Sequence, residues 1–167
     1  MKERVVAGFN LTCMGDERAY SYLSSRKGGT LADRGALHVL KHFYPDFARY
    51  SFLDRESDER QYCAPGIDLP LCSVMRTKYN FFPDYHTLLD NFDLVTEKGL
   101  VGGYTVMRQC LEALEENVVY SSKILCEPLA YIDGRTPLLE LADIINLDIF
   151  QCAAMSKILL DKGVSCR

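Results

Sequence analysis

A chain of 167 residues is long enough for one domain with its own core and a small appendage, so neither a metal nor a disulfide is required for size alone. Apolar residues at 48% and charged residues at 25% exclude a disordered or fibrous chain, and a net charge of −4 without a basic run gives a nonspecific grip on nucleic acid no support. No run of about 18 uncharged apolar residues occurs, and the start MKERVVAGFNLTC lacks an apolar export core, so neither a membrane span nor secretion is expected. The seven cysteines (13, 63, 72, 110, 126, 152, 166) are odd in number and contain no Cys-x-x-Cys pair. They are expected to be reduced thiols in a cytoplasmic protein rather than a zinc cluster or a disulfide framework.

In chain order, residues 4–13 and 19–23 are rich in β-branched and aromatic types and predict two strands on either side of a Gly15-Asp16 turn. Gly28-Gly29 breaks the chain. Thr30 then caps a helix over residues 30–44, with Leu37, Leu40 and Tyr44 on one face, and Pro45 stops it. A short strand over 48–53 leads to Ser57, the expected cap of a short helix that ends at Pro65-Gly66. Residues 69–76 predict a further strand. An aromatic and polar loop separates it from a long helix over 96–116, whose Leu100, Tyr104, Met107, Leu111 and Leu114 share helical spacing. Alternating strands and helices predict an α/β layered domain over residues 1–127. From residue 128 the pattern changes to three short helices, LAYIDG, 137–145 and 148–162, expected to form a winged-helix-like module.

The three histidines differ in setting. His38 and His42 stand four apart on the first helix, but the HVLKH segment has Val39 where a zinc protease motif has its Glu, so two partly exposed helix histidines are expected there. His86 lies in a loop beside Tyr85, Asp84, Thr87 and Asp90, where carboxylates can orient an imidazole or share a cation. The alternative for such a histidine is simple solvation. Asp58 and Glu59, adjacent near a helix start, fit a dipole-favoured cap. The Gly28-Gly29 and Gly102-Gly103 pairs lack a nucleotide-binding context and are expected to punctuate loops.

The segments GDER, SDERQY, APGIDLP, MRTKY and YHTLLDN, read together, resemble a bacterial aminopeptidase-like family of unknown function, related to the co-catalytic zinc aminopeptidases. The resemblance covers about residues 3–127, and the tail is similar to the winged helix-turn-helix that ends members of that family. It implies the C-terminal half of a three-layer zinc-exopeptidase (phosphorylase/hydrolase-like) domain, followed by the winged-helix-like module. It further implies hydrolysis of a peptide or amide substrate with one or two zinc ions, His86 and Asp16 as metal ligands, and Tyr85 as the residue that helps polarise the scissile carbonyl. The match departs at Thr12, which stands where the peptidases carry a ligand Asp, so Asp16 or Glu17 is a nearby substitute. Neither a His-x-Asp nor a Glu-Glu preceding His86 occurs in the chain; Glu115-Glu116 follows it. The site is therefore expected to be incomplete alone, with the chain a truncated or split member completed by a separate N-terminal half or a second copy. The competing expectation is a non-catalytic interaction module whose metal site is a relic. Residues 129–167 hold four Lys or Arg against five Asp or Glu, which favours protein packing over DNA for the tail.

Overall fold

A computed structural model describes residues 2–122 and 131–166. It divides into two compact units, residues up to Cys110 and residues from Leu111.

The first unit is built on a four-stranded mixed sheet in the order β1-β4-β2-β3, comprising β1 (Gly8–Asn10), β2 (Ser21–Leu23), β3 (Ala48–Tyr50) and β4 (Leu71–Met75). β1 and β4 are parallel, as are β2 and β3, whereas β2 and β4 run antiparallel. The two predicted N-terminal strands thus exist but do not pair as neighbours, because β4 is inserted between them. Its Cys72, Val74 and Met75 are fully buried, as expected of a central strand.

Helix α1 (Leu31–Phe43) carries the chain from β2 to β3. Its cap is the predicted Thr30, which forms a reciprocal capping box with Asp33. Asp33 has a second task, since it also accepts the Tyr22 hydroxyl at 2.7 Å and the Ser25 amide at 2.9 Å, locking the helix start to β2. Ala32, Ala36, Val39 and Leu40 form the buried face. His38 is buried rather than partly exposed, its ring 4.6 Å from that of His42.

Helix α2 (Glu59–Tyr62) is a single turn, starting after Asp58 rather than Ser57. The long helix α3 (Glu97–Glu115) forms as predicted, but buries a different face. Leu100, Tyr104 and Leu111 are exposed, while Gly99, Gly103, Val106, Met107, Cys110 and Ala113 are buried. Gly102-Gly103 therefore lies within a helix and is not loop punctuation. The reason is close approach: a Cβ on Gly99 would sit 1.8 Å from the Gly15 carbonyl oxygen, and one on Gly103 would sit 2.4 Å from that of Met14. Small residues let the loop after β1 lie directly on the helix backbone, and the large apolar residues consequently face outward.

The second unit contains β5 (Val119–Ser122), β6 (Asp133–Pro137), α4 (Leu138–Ile145), α5 (Ile149–Asp161) and β7 (Ser165–Cys166). β5 is the middle of an antiparallel sheet in the order β6-β5-β7. Where LAYIDG predicts a helix, residues 133–137 form a strand instead; residues 129 and 130 lie outside the described residues. The expected division at 127/128 also falls there, and the compact units divide earlier, within α3. The two following helices are as predicted, α5 starting at Asp148, whose side chain accepts from the Phe150 and Gln151 amides. Leu138, Leu139, Ala142, Ile149, Cys152 and Ala153 are buried in this unit. The six cysteines among the described residues form no disulfide. No helix among the described residues is long and apolar enough to cross a membrane.

Candidate active-site cleft

The segment after β1 is fixed on two sides. The Arg76 amide donates to the Cys13 carbonyl at 2.9 Å, and Thr77 holds the Asp16 carboxylate through its amide at 2.9 Å and its hydroxyl at 2.6 Å. On the other side the Thr96 amide donates to the Gly15 carbonyl at 3.0 Å. Between this segment and the loop following β4 lies a cleft of about 390 Å³, lined by Cys13, Asp16, Tyr85, His86, Asp90 and Leu100 among others. All three residues singled out by resemblance, Asp16, Tyr85 and His86, thus line one cleft although 70 positions separate the first from the last.

His86 is exposed and its ring stacks on Tyr85 at 3.9 Å between centroids, with 16° between planes. Its backbone φ of +57° lies in the left-handed region, and so does that of Cys13 across the cleft at +48°. A non-glycine residue there is strained by about 1 kcal/mol or more. Tyr85 is anchored from behind by packing on the core cluster of Leu23, Met75 and Tyr79. Burial, with the nearby Cys13 and Glu56, pushes its phenol up from the ordinary tyrosine value, so at neutral pH it keeps its proton and can donate it in a hydrogen bond. Burial likewise pushes the Cys13 thiol up, which keeps it protonated and a weak nucleophile.

Asp16 is buried and largely committed. One oxygen accepts the Arg18 amide at 2.9 Å and the Thr77 hydroxyl, and the other accepts the Thr77 amide. Three of roughly four lone-pair positions are used in bracing the turn. Asp90 lines the same cleft and is exposed. The wall carrying His86 is tied to the opposite wall by the Arg18–Asp84 ion pair at 2.7 Å.

A second carboxylate, Glu59, is read from the sequence only as a dipole-favoured cap. It is not a surface cap but fully buried, accepting Asn10 Nδ2 at 2.8 Å, the Tyr79 hydroxyl at 2.6 Å, and the Glu56 and Ser57 amides at 3.0 and 2.9 Å. Burial alone would raise its carboxyl, but the Tyr79 hydroxyl and the backbone amides outweigh it and hold the group below the ordinary carboxylate value. Asn10 and Ser73, paired in register on β1 and β4, both point at it. The polar residue ending an otherwise apolar strand at Asn10 was the available signal. Glu59 ties β1, β4 and α2 together and holds the hydroxyl of Tyr79, a member of the cluster on which Tyr85 packs.

The family model described as "Domain of unknown function (DUF4910)" matches residues 1–117, and the chain belongs to that family. It is 32% identical over 127 residues, 75% of this chain, to a Clostridium acetobutylicum protein called "Putative polysaccharide biosynthesis protein with aminopeptidase-like domain". The crystal structure of a "putative peptidase" from Clostridium acetobutylicum superposes on 99% of the chain with a TM-score of 0.92 at 25% identity. The chain spans 29% of the length of the first relative and 42% of the second. Family and mixed α/β architecture therefore stand as the sequence implied them.

Proposed function

We propose that this chain is the part of a zinc-dependent aminopeptidase-like hydrolase that contributes the Tyr85-His86 wall of the active site, and that alone it is incomplete. The observation that carries the reading is the strained, exposed His86, stacked on a core-anchored tyrosine and facing a second left-handed residue, Cys13, in a cleft that also holds Asp90 and Asp16. Strain of this kind persists where the surroundings enforce it and concentrates at functional sites. The substrate class, peptide or amide, follows from the peptidase-like relatives.

Among the described residues no three His, Cys, Asp or Glu side chains converge well enough to hold an ion. The described residues by themselves therefore do not make up a complete zinc shell. Within the proposal His86 is one ligand, Asp16 an acid of the same wall with little remaining capacity, and Tyr85 the donor to the scissile carbonyl. The remaining ligands and the base come from a partner, a separate N-terminal half or a second copy. The free thiols fit a cytoplasmic setting, and the α4–α5 pair, joined through residues 146–148, fits a helix-turn-helix of the winged type.

The test mixes the full chain with a candidate half carrying His-x-Asp and Glu-Glu, then measures bound zinc and leucyl-anilide hydrolysis. Near-stoichiometric zinc and activity that vanish with His86→Ala support the reading; zinc and activity unaffected by that change refute it. A second reading, a non-catalytic interaction module, is favoured by Leu88 and Phe92, which stand 98% and 91% exposed beside the cleft. It predicts partner binding that persists after chelation and in His86→Ala alike.

A further inference from the structure

Arg76 follows the last residue of β4 and is only 6% exposed, and its guanidinium is held through one nitrogen. Nε donates to the Asp16 carbonyl at 2.7 Å, and the group lies 3.8 Å from the Tyr20 ring centroid. Among the described residues no acceptor meets the four N–H groups of its two terminal nitrogens. These nitrogens are not among the fully buried unpartnered atoms of the described residues, so their N–H groups open on the cleft that Arg76 lines, and a guanidinium presents them as a planar fork. The fork is also given room. A Cβ on Gly102 would lie 3.1 Å from one terminal nitrogen and 2.9 Å from the Tyr20 hydroxyl.

Arg76 forms one wall of a second cleft, about 340 Å³, distinct from the one holding His86. Its other walls include Tyr20, Phe43, Tyr44, Pro45 and Phe47. Tyr44 is fixed by its hydroxyl bond to Gln109 at 2.8 Å and by packing on Tyr20 at 4.2 Å. The charged residues at the rim are largely engaged elsewhere: Arg18 with Asp84, and Glu17 with Lys98 at 2.8 Å. Asp46 completes the rim.

We infer that this second cleft binds a monocarboxylate carried on an aromatic or branched apolar group, with the Arg76 fork taking the carboxylate and the Tyr44–Phe47 wall taking the apolar part. A fork of this geometry matches a planar carboxylate through two parallel hydrogen bonds. Phosphate offers the same bonds, but the Asp46 carboxylate at the rim disfavours a dianion more than a monoanion. The inference is independent of the hydrolase reading, since none of these residues carries the proposed metal or carbonyl contacts.

The test is titration of the full chain with phenylacetate, followed by amide and arginine Nε resonances, with phenylacetamide as the neutral isostere and phenylphosphate as the dianion. Phenylacetate is expected to shift Tyr20, Tyr44, Phe47 and Arg76, and to bind about ten-fold or more tightly than phenylacetamide. Arg76→Lys, which keeps the charge and loses the fork, is expected to weaken it by a similar factor. If that variant fails to fold, the isostere comparison on the unaltered chain still decides. Equal affinity for the amide, tighter binding of phenylphosphate, or shifts confined to Tyr85 and His86 would each overturn the inference.

Discussion

Gly99→Ala sets two effects of opposite sign against each other. Helix propensity favours alanine by up to about 1 kcal/mol in a helix interior. The added Cβ, however, falls 1.8 Å from the Gly15 carbonyl oxygen, 2.5 Å from its carbon and 2.9 Å from the Asp16 carbonyl oxygen, all backbone atoms that cannot rotate away. The loop and the helix must part by more than an ångström, which also strains the 3.0 Å Thr96–Gly15 hydrogen bond. Overpacking costs about 1–3 kcal/mol and a lost hydrogen bond about 1 kcal/mol more, so after the gain in helix propensity the net expectation is a loss of about 1–3 kcal/mol. Urea unfolding reads this as a midpoint lowered by about 1 M or more at unchanged slope. Gly102→Ala is the internal contrast, because its Cβ meets only the ends of the Tyr20 and Arg76 side chains, at 2.9 and 3.1 Å. It is expected to stay within about 1 kcal/mol of the parent. Gly99→Ala as stable as the parent, or more so, would show that the backbone contact between loop and helix does not hold the cleft wall.

Glu59→Gln keeps the shape but turns an acceptor of several donors into a group that opposes some of them, and a loss of about 2–4 kcal/mol is expected by the same unfolding assay. Acid sensitivity follows from the same carboxylate and from Asp33, for which the hydrogen bonds from Ser25, Thr30 and Tyr22 outweigh burial and lower the pKa. Both folded values lie below the ordinary 3.8 and 4.5, so their stabilisation is fully present above those values and disappears as pH falls through the depressed ones. Thermal melts across that acid range should fall steeply, and Glu59→Gln should flatten the slope; an unchanged slope would contradict the assignment. His86→Gly should stay within about 1 kcal/mol of the parent, because relief of the left-handed strain offsets the lost stacking on Tyr85. In the mixed assembly the same variant should lose zinc, as read by metal analysis.

Local signals placed most elements. Thr30 announced α1 because a helix cap is a contact between residues close in sequence. Asp148 marked the start of α5, where its side chain accepts from the Phe150 and Gln151 amides. The buried face of α3 was illegible from its own pattern, since the largest apolar residues, Leu100 and Tyr104, are those left outside. The face is chosen by what packs there, a loop backbone that only glycine admits. β6 was missed because its short DGRTP segment has no strand-like alternation, and its pairing with β5 decides it. Glu59 does accept the Glu56 and Ser57 amides beside the helix start, but its burial was illegible because its further donors Asn10 and Tyr79 lie 49 and 20 residues away.

What the sequence determined by itself was the family and the identity of the candidate residues, since long motifs such as SDERQY and YHTLLDN carry that information in their order. What only the tertiary structure decided was how those residues are employed. Asp16 became a brace because β4 brings Thr77 against it, and Arg76 acquired a cleft because Gly102 clears its path. Backbone hydrogen bonds and van der Waals exclusion between distant segments have no sequence period, so they take effect only when folding brings the segments together.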